Sequence, residues 1–203
     1  MTGVVADQRF VGEICGFGTA SGRRVVIGRW TESPFGAIAD AMIEAADGHR
    51  TLIAPTAEVA AYIRGVYSFD EVVVGHVVTA RSDGQLGFDG GPLVASIDLG
   101  RRDLLGRLLH LVPHRVATSP RWAAAIDPIA RTVLRSVRTR GRSAGGVEYY
   151  GATDRHRIDA VRATWWGVDL GPLTTVDPPV RFGFSSAPRR PSIVAVTTTV
   201  RTD

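Results

Sequence analysis

The feature that most constrains this chain is a series of short apolar runs separated by turn signals. Residues 10–19 and 24–31 are joined by Ala20-Ser21-Gly22, and residues 36–46 and 50–54 by Asp47-Gly48. An Asp-Gly pair between apolar runs is a strong hairpin signal, because glycine supplies the positive φ that tight turns need. The run 71–80 ends at Ser82-Asp83-Gly84, and further runs lie at 93–99, 147–153, 157–166, 180–186 and 192–201. The last carries Val194, Val196 and Val200 on one face and Ile193, Ala195, Thr197 and Thr199 on the other, so at least one side should be covered. The run 36–46 is ambiguous, since Ile38, Met42 and Ala45 also fit a helical face.

Three helices interrupt the strands. Thr56 can cap a helix to Tyr67, with Val59, Ile63 and Val66 turned inward. A leucine-dense helix spans 103–112 and stops at Pro113. The third enters at Ser119-Pro120, with a kink or restart at Asp127-Pro128, and continues toward Arg138. Hairpins in series with about three helices predict an α+β fold: a strand-rich, curved, mainly antiparallel sheet, barrel-like or double-layered. Gly12, Gly16 and Gly18 leave one face of the first strand almost bare, which marks a bend or the close approach of another backbone or a ligand.

The 203 residues fit a single domain over 1–203, with no internal repeat. A chain this long buries roughly 70% of its unfolded surface, enough for an unaided core. The lone cysteine, Cys15, cannot form an internal disulfide. The amino terminus has no basic start followed by an apolar run, and no stretch reaches the ~20 apolar residues of a membrane span. The expectation is therefore a cytoplasmic protein without a membrane partner.

All 24 basic residues are arginine. Arginine stays protonated, so no side chain here can form an imine with a carbonyl substrate. The net charge of +4 argues only weakly for a polyanion partner. His110 and His114 stand four apart, but Pro113 ends the helix between them and nothing nearby completes a metal set. Nucleotide-binding loops and nucleophile motifs are missing, and no cofactor or metal is implied. One charge pattern remains: Arg131, Arg135, Arg138, Arg140 and Arg142 lie in an acid-free tract between Asp127 and Glu148. On a helix the first three share a stripe that could face a phosphate backbone or an acidic partner, or simply solvent. Trp165 and Trp166 are adjacent on a strand and must point to opposite faces, so one could line a pocket or a partner surface.

Two segments together resemble the acetoacetate decarboxylase-like superfamily. Residues 33–40, Ser33-Pro34-Phe35-Gly36 through Asp40, resemble its Ser-Pro-Tyr-Gly segment, which leads into a strand bearing an active-site carboxylate. Residues 60–71 resemble its Arg-Glu-x-Tyr/Trp-Gly-Phe-Pro-Lys-Lys segment: Arg64, Tyr67 and Phe69 match, whereas Gly65, Ser68 and Asp70 depart from it. The family's lysine pair falls on Glu71 and Val72, so the Schiff-base lysine is missing. The resemblance implies a barrel-like domain, usually a homo-oligomer, with an interior pocket for keto or carboxylic acids.

The expected function is binding of a small organic anion, or acid–base chemistry on it without an imine, by Arg29, Asp40, Arg64, Tyr67 and Glu71. Arginine would hold the carboxylate in a forked pair. The alternatives are a nucleic-acid or acidic-partner module using residues 131–142, and a structural or interaction subunit.

Overall fold

Gly22 and Gly48 adopt positive φ, +81° and +91°, and close the first two hairpins. The computed structural model describes residues 7–133, 137–143 and 146–201. Along the chain the elements are β1 (Gln8–Thr19), β2 (Arg24–Glu32), β3 (Ile38–Glu44), β4 (Arg50–Ala54), α1 (Ala57–Val66), β5 (Glu71–Val74), β6 (Val78–Arg81), β7 (Gln85–Asp89) and β8 (Leu93–Arg102). They continue with α2 (Leu104–Leu111), α3 (His114–Ala117), α4 (Pro120–Val133), β9 (Arg140–Ser143), β10 (Gly146–Trp165), β11 (Val168–Asp169), β12 (Leu173–Thr174) and β13 (Ser192–Arg201).

The strands form one sheet in the order β5-β4-β3-β2-β1-β13-β10-β8-β7-β6, with β11 and β9 paired to β10 and β12 to β1. Every pairing is antiparallel except β4 with β5. The two outermost strands, β5 and β6, are joined by only Gly75, His76 and Val77, so the sheet must curl until its edges approach. This is the α+β, curved-sheet architecture expected from the turn pattern.

Alternation then assigns the two faces. Cys15, Phe17, Val25, Ile27, Ala41 and Ile43 point inward from β1–β3 and meet Leu86, Phe88, Leu93, Ala95 and Ile97 from β7 and β8. Each large apolar side chain buried here contributes roughly 1.5–3 kcal/mol. The opposite face, which carries Ile14, Val26, Asp40, Met42, Tyr150 and Val196, looks toward the helices. Thr56 caps α1 by accepting a hydrogen bond from the Val59 amide, and Val59, Ala60 and Ile63 pack on Leu52 and Ala54. Asp103 caps α2 by accepting from the Gly106 amide at 2.9 Å. The bare glycine face of β1 is covered by other chain: a Cβ on Gly16 would meet Ala187, and one on Gly18 the Thr175 carbonyl.

Four local expectations need correcting, and one strand was unexpected. The third helix, expected to continue toward Arg138, is α4, preceded by the short α3; its described part ends at Val133, and Arg138 lies outside any helix. The run 71–80 is two strands at opposite edges of the sheet, broken at Gly75-His76. The runs 147–153 and 157–166 belong to one strand, β10, whose pairing shifts register near Ala152 and His156. Residues 180–186 alternate apolar and polar like a strand but make no ladder. Their backbone groups are met from several directions instead, the Phe182 carbonyl by the Ser68 amide and the Arg181 amide by Glu44. The short strand β7 after Ser82-Asp83-Gly84 was not anticipated, although Leu86 and Phe88 are buried.

Candidate functional site

Between the helix-facing side of the sheet and the helices lies a cavity of about 510 Å³. Its wall is mostly apolar: Ile14, Val26 and Val196 from the sheet, Ile63 from α1, Leu109 from α2 and Ile126 from α4 are representative. Into it project a few polar side chains, concentrated toward one end.

At that end Glu148 and Tyr150 stand two residues apart on β10, and so share a face. Tyr67 follows directly on α1 and brings its hydroxyl to both. The Tyr67 and Tyr150 hydroxyls donate to Glu148 Oε2 at 2.9 and 2.8 Å, and the two phenol oxygens also touch each other. Two hydroxyl hydrogens thus serve three close oxygen contacts. Burial and the neighbouring Glu148 charge push both phenol pKa values well up, which keeps them as hydrogen-bond donors. Glu148 is fully buried, yet its Oε1 has no partner among the described residues. The Tyr62 hydroxyl and Thr198 Oγ1, also on the cavity wall, are likewise buried without partners among the described residues.

Asp40 is the second carboxyl. It sits on β3 directly across from Gly28, and its Oδ1 accepts from Trp30 Nε1 at 3.0 Å. Gly28 is what makes room: a Cβ there would lie 2.6 Å from Asp40 Oδ1 and 2.8 Å from Trp30 Nε1. Burial pushes the Asp40 pKa up to about 7, with the indole hydrogen bond opposing the rise. Its charge is felt at Tyr67, so the two carboxyls belong to one electrostatic neighbourhood.

Arg155 enters the cavity wall seven residues beyond Glu148 on β10, roughly 20 Å away along a strand. Its Nη1 donates to Asp103 Oδ2 at 2.7 Å, whereas its Nε is buried without a partner among the described residues. Arg138 also borders the cavity, but its Nε is spent on Asp127.

The structure thus brings Asp40 and Tyr67 together and leaves the other three expected residues outside. Arg29 points to the opposite face of the sheet, because its neighbours Gly28 and Trp30 face the cavity, and it pairs with Glu13 at 3.6 Å. Arg64 is exposed on α1. Glu71 is exposed on β5, where its Oε2 accepts from Thr51 and lies 3.4 Å from His49 Nε2. Trp30, Tyr62, Glu148, Tyr150 and Arg155 went unassigned. The spacing of Glu148 and Tyr150 was a usable signal, since period two places a carboxylate and a phenol on one strand face.

The arginine tract is not a uniform stripe. Arg131 lies on α4, Arg135 falls outside the described residues, and Arg138 turns inward to Asp127. Arg140 is exposed and stacks over the Tyr149 ring at 5.8 Å, and Arg142 is exposed on β9. Of the tandem tryptophans, Trp165 packs against the core with Arg23 over its ring, whereas Trp166 is 69% exposed.

No family model and no curated protein matches the chain. One solved structure does. It is the crystal structure of acetoacetate decarboxylase from Legionella pneumophila subsp. pneumophila, which is 10% identical over 98% of this chain and 86% of that one, with a TM-score of 0.48. The likeness is distant.

Proposed function

We propose that this chain binds a small, mainly apolar organic molecule in the cavity, with a neutral polar head, a hydroxyl or carbonyl, seated among Glu148, Tyr67, Tyr150 and Tyr62. What carries this reading is Glu148 Oε1, unpartnered among the described residues, in a mostly apolar cavity. A buried acceptor without a donor costs about 1–3 kcal/mol, a cost that a ligand donor removes. The Tyr62 hydroxyl, unpartnered among the described residues, offers a donor to a carbonyl. A carboxylate at this end would meet two carboxyl groups. A keto or carboxylic acid therefore fits best with its acid group at the far end, on Arg155 Nε. The organic anion expected from the sequence survives only in that orientation.

Thermal-shift titration with matched alcohols, ketones and carboxylic acids of increasing chain length tests the reading, because a ligand that binds only the folded state raises Tm. Alcohols and ketones are expected to raise Tm progressively with chain length, and Glu148→Gln to weaken the alcohols. Arg155→Met should weaken the acids alone. A panel in which short hydrophilic anions bind best, and Glu148→Gln changes nothing, rejects it.

Asp40 favours a second reading, acid–base turnover. A carboxyl with a pKa of about 7, buried near hydroxyl donors, is matched to removing a proton beside a carbonyl at neutral pH. The base takes the α-proton, the carbonyl oxygen carries the charge against the Tyr62 hydroxyl, unpartnered among the described residues, and a solvent-derived proton returns to carbon. Deuterium uptake at the α-carbon of a bound ketone, lost in Asp40→Asn, is the expected signature. Uptake no faster than in buffer leaves binding alone.

A further inference from the structure

Helix α2 reads LLGRLLHL, a composition ordinarily found in a core, yet Gly106 is its only buried residue. The helix is held by the Asp103 cap and by close approach of Gly106 to β10, where a Cβ would lie 2.1 Å from the Arg155 carbonyl. Leu105, Leu109 and Val112 turn inward to the cavity. Leu104 and Leu111 form an outer stripe, 73% and 78% exposed, and Leu108 between them is exposed while also bordering the cavity; Ile129 on α4 likewise borders the cavity and is exposed, and Val116 on α3 is exposed too. Contiguous exposed apolar side chains of this kind mark an interaction surface.

Charge sets its character. The helical segment 104–133 holds four arginines, Arg107, Arg115, Arg121 and Arg131, and one acid, Asp127, which Arg138 occupies. The rest of the chain holds twenty arginines against nineteen acids. Arg107, Arg115 and Arg121 are exposed and make no ion pair among the described residues, and His110 and His114 are exposed beside them.

We propose that this helical face docks on an anionic lipid bilayer surface, with the α2 leucines entering the acyl boundary and the arginines meeting the headgroups. A nucleic acid would satisfy the arginines and leave the leucines in water. A second copy of the chain would cover the leucines but set two cationic faces against each other. A lipid surface uses both features, and it lies against the helix whose inner leucines line the cavity. The inference is independent of what the cavity holds.

The test is flotation of the full chain with vesicles of phosphatidylcholine alone or with about one-third phosphatidylglycerol, at low salt and at about 0.5 M salt. Binding to the anionic vesicles is expected, at least about tenfold weaker on neutral vesicles or at high salt. Leu104→Ser with Leu111→Ser, and separately Arg107→Gln with Arg115→Gln and Arg121→Gln, should each lower it about tenfold with Tm unchanged. Failure to float with anionic vesicles, or binding indifferent to the leucine variant, overturns the proposal. So does a dimer that the leucine variant dissolves while vesicles are ignored, which assigns the face to a second copy. A nucleic-acid gel shift that the leucine variant leaves intact, without flotation, overturns it in favour of nucleic acid.

Discussion

Asp40 and Glu44 lie four residues apart on the same strand and the same face, both buried, in opposite circumstances. Across from Glu44 stands Arg24, and across from Asp40 stands Gly28. Glu44 is fully enclosed. It is 3.2 Å from Arg24 Nη2 and accepts from the Arg181 amide at 2.7 Å and the Arg181 Nε at 3.3 Å. It therefore ties the loop before β13 to the β2–β3 hairpin. Asp40 has an indole N–H and, among the described residues, no guanidinium. One residue on the neighbouring strand separates a carboxylate committed to structure from one left open toward a cavity.

The largest effect that can break this comparison is at Glu44. Replacing it with alanine leaves Arg24 buried without its counter-charge, and losing one partner of a buried pair costs about 3–5 kcal/mol. Urea unfolding should show that loss, while Arg24→Met combined with Glu44→Leu should recover most of it. If the single variant is as stable as the parent, Glu44 is no anchor.

Asp40 should behave in the opposite sense. Its folded pKa is raised, so the native state holds a proton that the unfolded chain releases above about pH 4. Stability from this group therefore falls as pH rises from about 4 to about 7 and is flat beyond, a change on the order of 4 kcal/mol. Asp40→Asn keeps an acceptor for Trp30 and carries no charge. It should be more stable than the parent at pH 8 and remove this slope. A variant that is less stable at pH 8 would mean that the ionised carboxylate is well solvated after all.

Tyr67→Phe comes next. It removes one of the two donors to Glu148 Oε2 in a buried setting, so a loss of about 1–2 kcal/mol is expected in urea titration. Ligand binding at the Glu148 end should weaken with it. An unchanged stability would place water, not Tyr67, on that oxygen.

The hairpins, the starts of the three longer helices and the curvature of the sheet were legible in the sequence because each is encoded over a few neighbouring residues. Thr56, Asp103 and Asp47-Gly48 act locally and do what their types predict. Cross-strand register was not legible, and register decides the site. Arg29 sits opposite Ala39 and away from Asp40, a fact contained in the β2–β3 pairing alone. Glu148 reaches Tyr67 across 81 positions, and no local pattern announces that meeting. The strand-like alternation of residues 180–186 misled because period two also suits a loop pressed against a surface on one side. There Val180 and Phe182 bury their side chains against Val26 without any ladder.

The smallest expected effect is also the sharpest control. Asp98 and Arg162 form an ion pair at 3.4 Å across β8 and β10, as close as the Arg24–Glu44 pair to within a few tenths of an ångström, but 38% and 68% exposed. If charge pairing alone made Glu44 structural, Arg162→Ala would cost a comparable amount. Water already screens both groups of the exposed pair, and holding two long side chains together opposes what attraction remains. The loss should stay below about 0.5 kcal/mol and vanish in high salt. A cost of several kcal/mol at Arg162 would remove burial as the distinguishing variable, and with it the reason for reading Asp40 and Glu148 as carboxyls held in reserve for a ligand.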